Sequence, residues 1–163
     1  MSTPSVRVMV VDDFEPWRRH ICSVLKTQTE IEVIAQVLDG LEAVQKAQEL
    51  RPDLILLDIG LPALNGIEAA RRIRELSPQS KVLFISQETS TDIVLGALAT
   101  GAAGYVAKTD VRTELLTALE AVSRGEKYVS TRLAERIRKS VRPIRRGLDR
   151  HRRNPRAPTT FRS

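Results

Sequence analysis

The sequence predicts an α/β fold, a parallel sheet with helices on both faces. Three observations carry the prediction. Five short apolar runs alternate with stretches of helical period over the first two-thirds of the chain. Gly and Pro breaks separate them, and polar residues with chemical potential stand at or just past the ends of the apolar runs. Strand–helix alternation of this kind means βαβ units, and right-handed crossovers leave few topologies.

The first strand is predicted over Val6 to Val11. A helix follows over Pro16 to Lys26, because Pro16 suits a first turn and Ile21, Val24 and Leu25 recur at helical spacing. Ile31 to Ala35 gives the second strand, and Gly40 to Leu50 the second helix, with Leu41, Val44, Ala47 and Leu50 along one side. Leu54 to Leu57 is the third strand. In the helix after it, Asn65 to Leu76, Asn65 caps and Glu68 stands three residues later. Lys81 to Ile85 and Ala103 to Val106 complete the strands; the helices that follow them are Thr91 to Thr100 and Val111 to Ser123. The punctuation lies at Arg51-Pro52-Asp53, Ser77-Pro78, Gly101 and Gly125. A weaker helical pattern continues through Leu133, Ala134, Ile137 and Val141. After Pro143 the apolar content collapses, so the arginine-rich remainder is expected to be a disordered basic tail. The expected organisation is a folded domain over residues 1–129, a short helical extension over 130–142 and the tail over 143–163.

A chain of 163 residues with 42% hydrophobic content is ordinary for a globular protein, and at this size roughly 70% of the unfolded surface can be buried. No run approaches the ~20 apolar residues of a spanning helix, and the stretch from Met1 to Ser5 has no signal-peptide pattern. No membrane partner is expected. The single cysteine, Cys22, forms no internal disulfide, which fits a cytoplasmic location. The net charge of +6 conceals a division. Residues 1–129 hold 14 Lys+Arg and 18 Asp+Glu, a net −4, whereas residues 130–163 hold 12 against 2, a net +10.

In an open parallel sheet, ligands bind in the crevice outside the carboxyl ends of the strands. Asp12 and Asp13 lie just past the first strand, Asp58 ends the third, Ser86 ends the fourth, and Lys108 lies two residues beyond the fifth. Three carboxylates in one crevice repel each other unless a cation is present. A hard divalent ion such as Mg²⁺ suits them, since it takes oxygen ligands and typically one or two carboxylates with phosphate oxygens. Asp58 is then a candidate nucleophile. With an ordinary pKa near ~3.9 it is ionised without a base, and carboxylates do form acyl phosphates. Lys108 can neutralise one phosphoryl oxygen and Ser86 can donate to another. Plainer readings stand beside these: Asp12 and Asp13 as a helix-capping turn before Glu15-Pro16, Ser86 as a turn residue, and Tyr105 as a half-exposed strand residue. Cys22 and His20 are read as having no chemistry, and Trp17 as partner-facing or simply part-buried.

From Val6 to about Ser130 the chain resembles the receiver domain of bacterial two-component response regulators. The matching pieces are Val10-Val11-Asp12-Asp13, Leu57 through Gly66, Phe84-Ile85-Ser86 and Gly101 through Lys108. The wording Gly104-Tyr105-Val106-Ala107-Lys108 is most similar to the subfamily that carries a C-terminal LuxR-type (NarL/FixJ-like) helix-turn-helix. The resemblance implies a flavodoxin-like, doubly wound five-stranded sheet in the order 2-1-3-4-5. It implies Asp58 as phosphoacceptor, with Mg²⁺ held by Asp12, Asp13, Asp58 and the backbone carbonyl of Gly60. Ser86 and Lys108 would hold the phosphoryl group, and Tyr105 would be an aromatic switch. The implied donor is a sensor histidine kinase or a small phosphodonor, and a homodimer is a possible output.

The implied activity is phosphoacceptance, not turnover of an outside substrate. The turn after the first strand offers no glycines for a dinucleotide, and Gly60 stands where a carboxylate-nucleophile phosphatase needs a second Asp. Residues 130–163, the basic extension and tail together, hold eleven Arg and one Lys. Arginine grips phosphate, so non-specific polyanion contact, or DNA-directed transcription regulation, is the competing output. No apolar pattern for a helix-turn-helix follows Arg142.

Overall fold

The computed structural model describes residues 5–140. The expectations placed on residues 141–163, the basic tail above all, lie outside the described residues. The first compact unit is Met1–Ser130, and the second begins at Thr131.

The first unit alternates strand and helix: β1 (Val6–Val11), α1 (Glu15–Lys26), β2 (Ile31–Val37), α2 (Gly40–Leu50), β3 (Leu54–Leu57), α3 (Gly66–Leu76), β4 (Lys81–Ser86), α4 (Thr91–Leu98), β5 (Gly104–Ala107), α5 (Val111–Ser123) and β6 (Tyr128–Val129). A short 3₁₀ turn, Lys108–Asp110, joins β5 to α5. The sheet is entirely parallel, in the order β2-β1-β3-β4-β5-β6. The expected order is present and is extended by a sixth strand. Two residues are too few for a periodic signal, so β6 is legible only in its pairing of Gly104 with Tyr128 and Tyr105 with Val129.

The local chemistry starts the helices where the pattern places them. Asn65 Oδ1 accepts the Glu68 N–H at 3.0 Å, Asp39 Oδ1 accepts the Glu42 N–H at 2.8 Å, and Ser90 caps α4 through the Ile93 N–H. Pro16 sits in the first turn of α1. Strand side chains alternate between faces. Val8, Val10, Leu54, Leu56, Leu83, Ile85 and Val106 pack with Ile21 and Leu25 of α1 and with Leu115, Leu119 and Val122 of α5. Met9, Ile55, Leu57, Phe84 and Tyr105, the intervening strand positions, are fully buried and take the opposite face. With both faces covered, the carboxyl edge is where polar strand ends can meet.

The second unit is described through one helix, residues 131–140. Among the described residues no helix is long and apolar enough to cross a membrane.

Candidate functional site

Parallel pairing aligns the strand ends, so Asp12 after β1, Asp58 after β3, Ser86 at the end of β4 and Lys108 after β5 share one edge. Asp58 is set by its own loop. Its Oδ1 accepts the Ile59 N–H at 2.7 Å, and its backbone N–H donates to the Val11 carbonyl at 3.1 Å. Gly66 also fixes it, because a Cβ at that position would collide with the Asp58 carbonyl. The loop between them holds Ala63 at φ 68, a left-handed conformation that strains a non-glycine residue.

Lys108 reaches from β5 across the crevice. Its Nζ donates to Asp58 Oδ2 at 3.0 Å and lies 2.8 Å from Asp12 Oδ2. All three groups are nearly sealed from solvent, at 5%, 8% and 1% exposure for Lys108, Asp58 and Asp12. Burial pushes the Asp12 carboxyl above its ordinary pKa, opposed by the Lys108 ammonium and the Phe14 N–H and reinforced by the Asp58 charge. Burial alone would lower Lys108, but its contacts with Asp12 and Asp58 outweigh that and hold the ammonium above its ordinary value. The same Nζ sits 5.4 Å from the centre of the Trp17 ring, within cation–π range. Sequence spacing gives no hint of that contact, which joins α1 to the end of β5.

A divalent cation fits this donor set. Asp12, Asp13 and Asp58 each bring one carboxylate oxygen within 4.8 Å of the others. Asp12 Oδ2 is buried and accepts no hydrogen bond even though it faces the ammonium, so one lone-pair direction is free in a place closed to bulk water. Asp13 is exposed and supplies the open side. Gly60, two residues after Asp58, is exposed with empty space around its Cβ position.

Ser86 and Tyr105 lie on neighbouring strands. Ser86 Oγ accepts the Glu88 N–H at 3.1 Å, and Tyr105 Oη donates to the Glu88 carbonyl at 2.6 Å. Glu88, which the sequence does not single out, ties the two through its backbone. Tyr105 is fully buried, not half-exposed, with its ring 6.0 Å from that of Phe84. Its phenol is pushed up to about 12 by burial, lowered somewhat by Ser86 and raised further by the charges of Glu88 and Asp58. Cys22 is buried in the core with its thiol pushed up by burial, which makes it a poor nucleophile.

A doubly wound parallel sheet whose carboxyl edge gathers three aspartates, a serine and a lysine defines a flavodoxin-like protein with a polar, charged crevice at its strand ends. The family model described as response regulator receiver domain matches residues 8–120, and the chain belongs to that family, the receivers of two-component response regulators. Among relatives, the transcriptional regulatory protein LiaR of Bacillus subtilis is 36% identical over 137 residues, 84% of this chain and 65% of LiaR. The response regulator protein VraR of Staphylococcus aureus is 36% identical over 138 residues, 85% of this chain and 66% of VraR. The chain thus spans just under two-thirds of the length of these curated relatives. Among solved structures, a two-component response regulator of the LuxR family from Aurantimonas sp. SI85-9A1 is 31% identical with a TM-score of 0.80, covering 83% of this chain and 97% of that one. The receiver is therefore related to LuxR-family regulators.

Proposed function

We propose that Asp58 is the phosphoacceptor of a switch driven by a sensor histidine kinase or a small phosphodonor. The observation that carries this reading is the buried Lys108 ammonium held between Asp58 and Asp12. One Asp58 oxygen attacks phosphorus, the bond from phosphorus to the donor breaks, and the leaving group keeps that electron pair. Lys108 exchanges its carboxylate contacts for a phosphoryl oxygen, and the Ser86 hydroxyl donates to another. Asp12, Asp13, Asp58 and the Gly60 carbonyl would hold Mg²⁺, which when bound supplies positive charge to the phosphoryl oxygens. Drawing Ser86 toward the phosphate reworks its Glu88 contact and hence the Tyr105 hydroxyl, which biases the β4–α4 loop between two arrangements.

The reading extends to a cytoplasmic receiver domain over residues 1–129 that controls a partner or a homodimer, with no turnover of an outside substrate. Polyanion contact through the basic tail remains a separate, non-specific property in this reading. Incubation with Mg²⁺ and acetyl phosphate tests the central step by intact mass. The wild type gains one phosphoryl group and Asp58→Ala gains none; a wild type that gains none from acetyl phosphate or any histidine kinase sinks the proposal.

A further inference from the structure

We propose that Ser130 is a positioning residue for Lys108, acting through the backbone of β5. The inference rests on the phosphoacceptor reading for its functional consequence, but its geometry stands apart from it. Ser130 is fully buried, at 0% exposure, just past β6. Its Oγ accepts the N–H of Ala107 at 2.9 Å, and its own N–H donates to the carbonyl of Tyr105 at 2.9 Å. It therefore grips β5 at both Tyr105 and Ala107, the residue immediately before Lys108. On the other edge, Ala107 is in register with Ser86 of β4. The strand that launches Lys108 is thus clamped from both sides at its last residue.

The clamp matters because of the reach required. β5 lies two strands from β3 and three from β1, roughly 10 and 14 Å at ~4.8 Å per strand. Lys108 spans toward both, to Asp58 and Asp12, so a small shift at Ala107 moves the ammonium off its partners. Without the Ser130 hydroxyl, the Ala107 N–H is left buried without an acceptor, and the chain end must move to satisfy it. Asp12, Asp13 and Asp58 hang from other strands, so the shift at Ala107 does not move their backbone, and loss of the ammonium contact does not weaken their hold on a cation. A positioning role therefore separates two properties that general loosening would damage together: phosphoryl acceptance falls and Mg²⁺ affinity stays.

Ser130→Ala and Ser130→Thr in the full chain test this. Three quantities are read: the saturating rate of phosphorylation by acetyl phosphate, Mg²⁺ affinity from the emission of Trp17, and acetylation of Lys108 by acetic anhydride, followed by peptide mass. We expect Ser130→Ala to lose on the order of tenfold or more in maximal rate, to hold its Mg²⁺ affinity within about twofold, and to acetylate faster at Lys108. Ser130→Thr, which keeps the hydroxyl, should behave as wild type in all three. A wild-type rate in Ser130→Ala, an equal loss of Mg²⁺ affinity and rate, or a Ser130→Thr as slow as Ser130→Ala each overturns the inference. Should Ser130→Ala fail to fold, Ser130→Cys, similar in size with a weak acceptor, takes its place with the same expectations. If the wild type accepts no phosphoryl group, the phosphoacceptor reading falls, and Lys108 acetylation alone decides the clamp: equal labelling in wild type and variant refutes it.

Discussion

The two edges of the sheet handle polar groups in opposite ways. At the amino edge the Arg7, Ser80 and Lys81 side chains all donate to backbone carbonyls. The Arg7 guanidinium donates to the Leu50 and Arg51 carbonyls at 2.9 and 3.0 Å, closing the end of α2. Asp53 accepts the Arg7 N–H, Ser80 donates to the Pro52 carbonyl, and Lys81 donates to the Val122 carbonyl at 3.0 Å. At the carboxyl edge, charges face charges. Lys108 is shared by two acids, a third acid stands beside them, and Asp12 Oδ2 accepts no hydrogen bond. One edge holds polar groups that stabilise the fold; the other keeps a costly arrangement of buried charge, which on the proposed reading a metal and a phosphoryl group relieve.

Substitutions at each edge test the contrast. The largest effect is expected from Lys108→Ala, which leaves two buried carboxylates facing each other. Stability should fall by about 3 kcal/mol at neutral pH, and phosphorylation on the order of a hundredfold, read by urea midpoint and intact-mass kinetics. Lys108 has a raised folded pKa, so its stabilisation is complete below 10.5 and is lost as pH climbs through the folded value.

Tyr105→Phe tests the same edge at alkaline pH. The phenol ionises at about 12 in the fold against 10.0 ordinarily. The unfolded chain releases that proton first, so the wild type loses stability as pH rises through this window. The loss is roughly 3 kcal/mol at about 1.36 kcal/mol per pH unit. Tyr105→Phe should lack that component, and parallel slopes of urea midpoint against pH would refute it.

At the amino edge, Ser80→Ala strands the buried Pro52 carbonyl and the Ser77 hydroxyl. It should cost about 1–2 kcal/mol with the phosphorylation rate intact; a matching loss of rate would mean the two edges are not separable. The smallest effect, of opposite sign, is expected from Asp12→Asn. It removes a buried acid whose ionised form the fold disfavours, so thermal stability at neutral pH should rise by about 1 kcal/mol while Mg²⁺ affinity falls. Because the burden exists only when Asp12 is charged, the gain should fade on acidification toward its ordinary 3.8.

The helices and strands were legible because each carries its own period and its own cap. The apolar runs of β1, β3 and β4, Asn65 before α3 and Pro16 in α1 specify those elements without reference to the rest of the chain. The acids, Ser86 and Lys108 were legible for a related reason. A strand end is a fixed place in a parallel sheet, so sequence position translates into proximity. What escaped has no local signature. Trp17 under Lys108, Gly66 against the Asp58 carbonyl and the Glu88 backbone joining Ser86 to Tyr105 are contacts between segments far apart in the chain or folded back on themselves.

The element order, the parallel sheet and the set of ionisable groups at its carboxyl edge therefore follow from the residues in order, because periodicity and strand-end position are local properties. Three things came from the folded chain alone: that one oxygen of Asp12, Oδ2, accepts no hydrogen bond, that Tyr105 lies fully inside, and that a two-residue β6 brings Ser130 onto β5. Burial and hydrogen-bond partnership depend on what the rest of the folded chain places against a group, and no window of neighbouring residues contains that information.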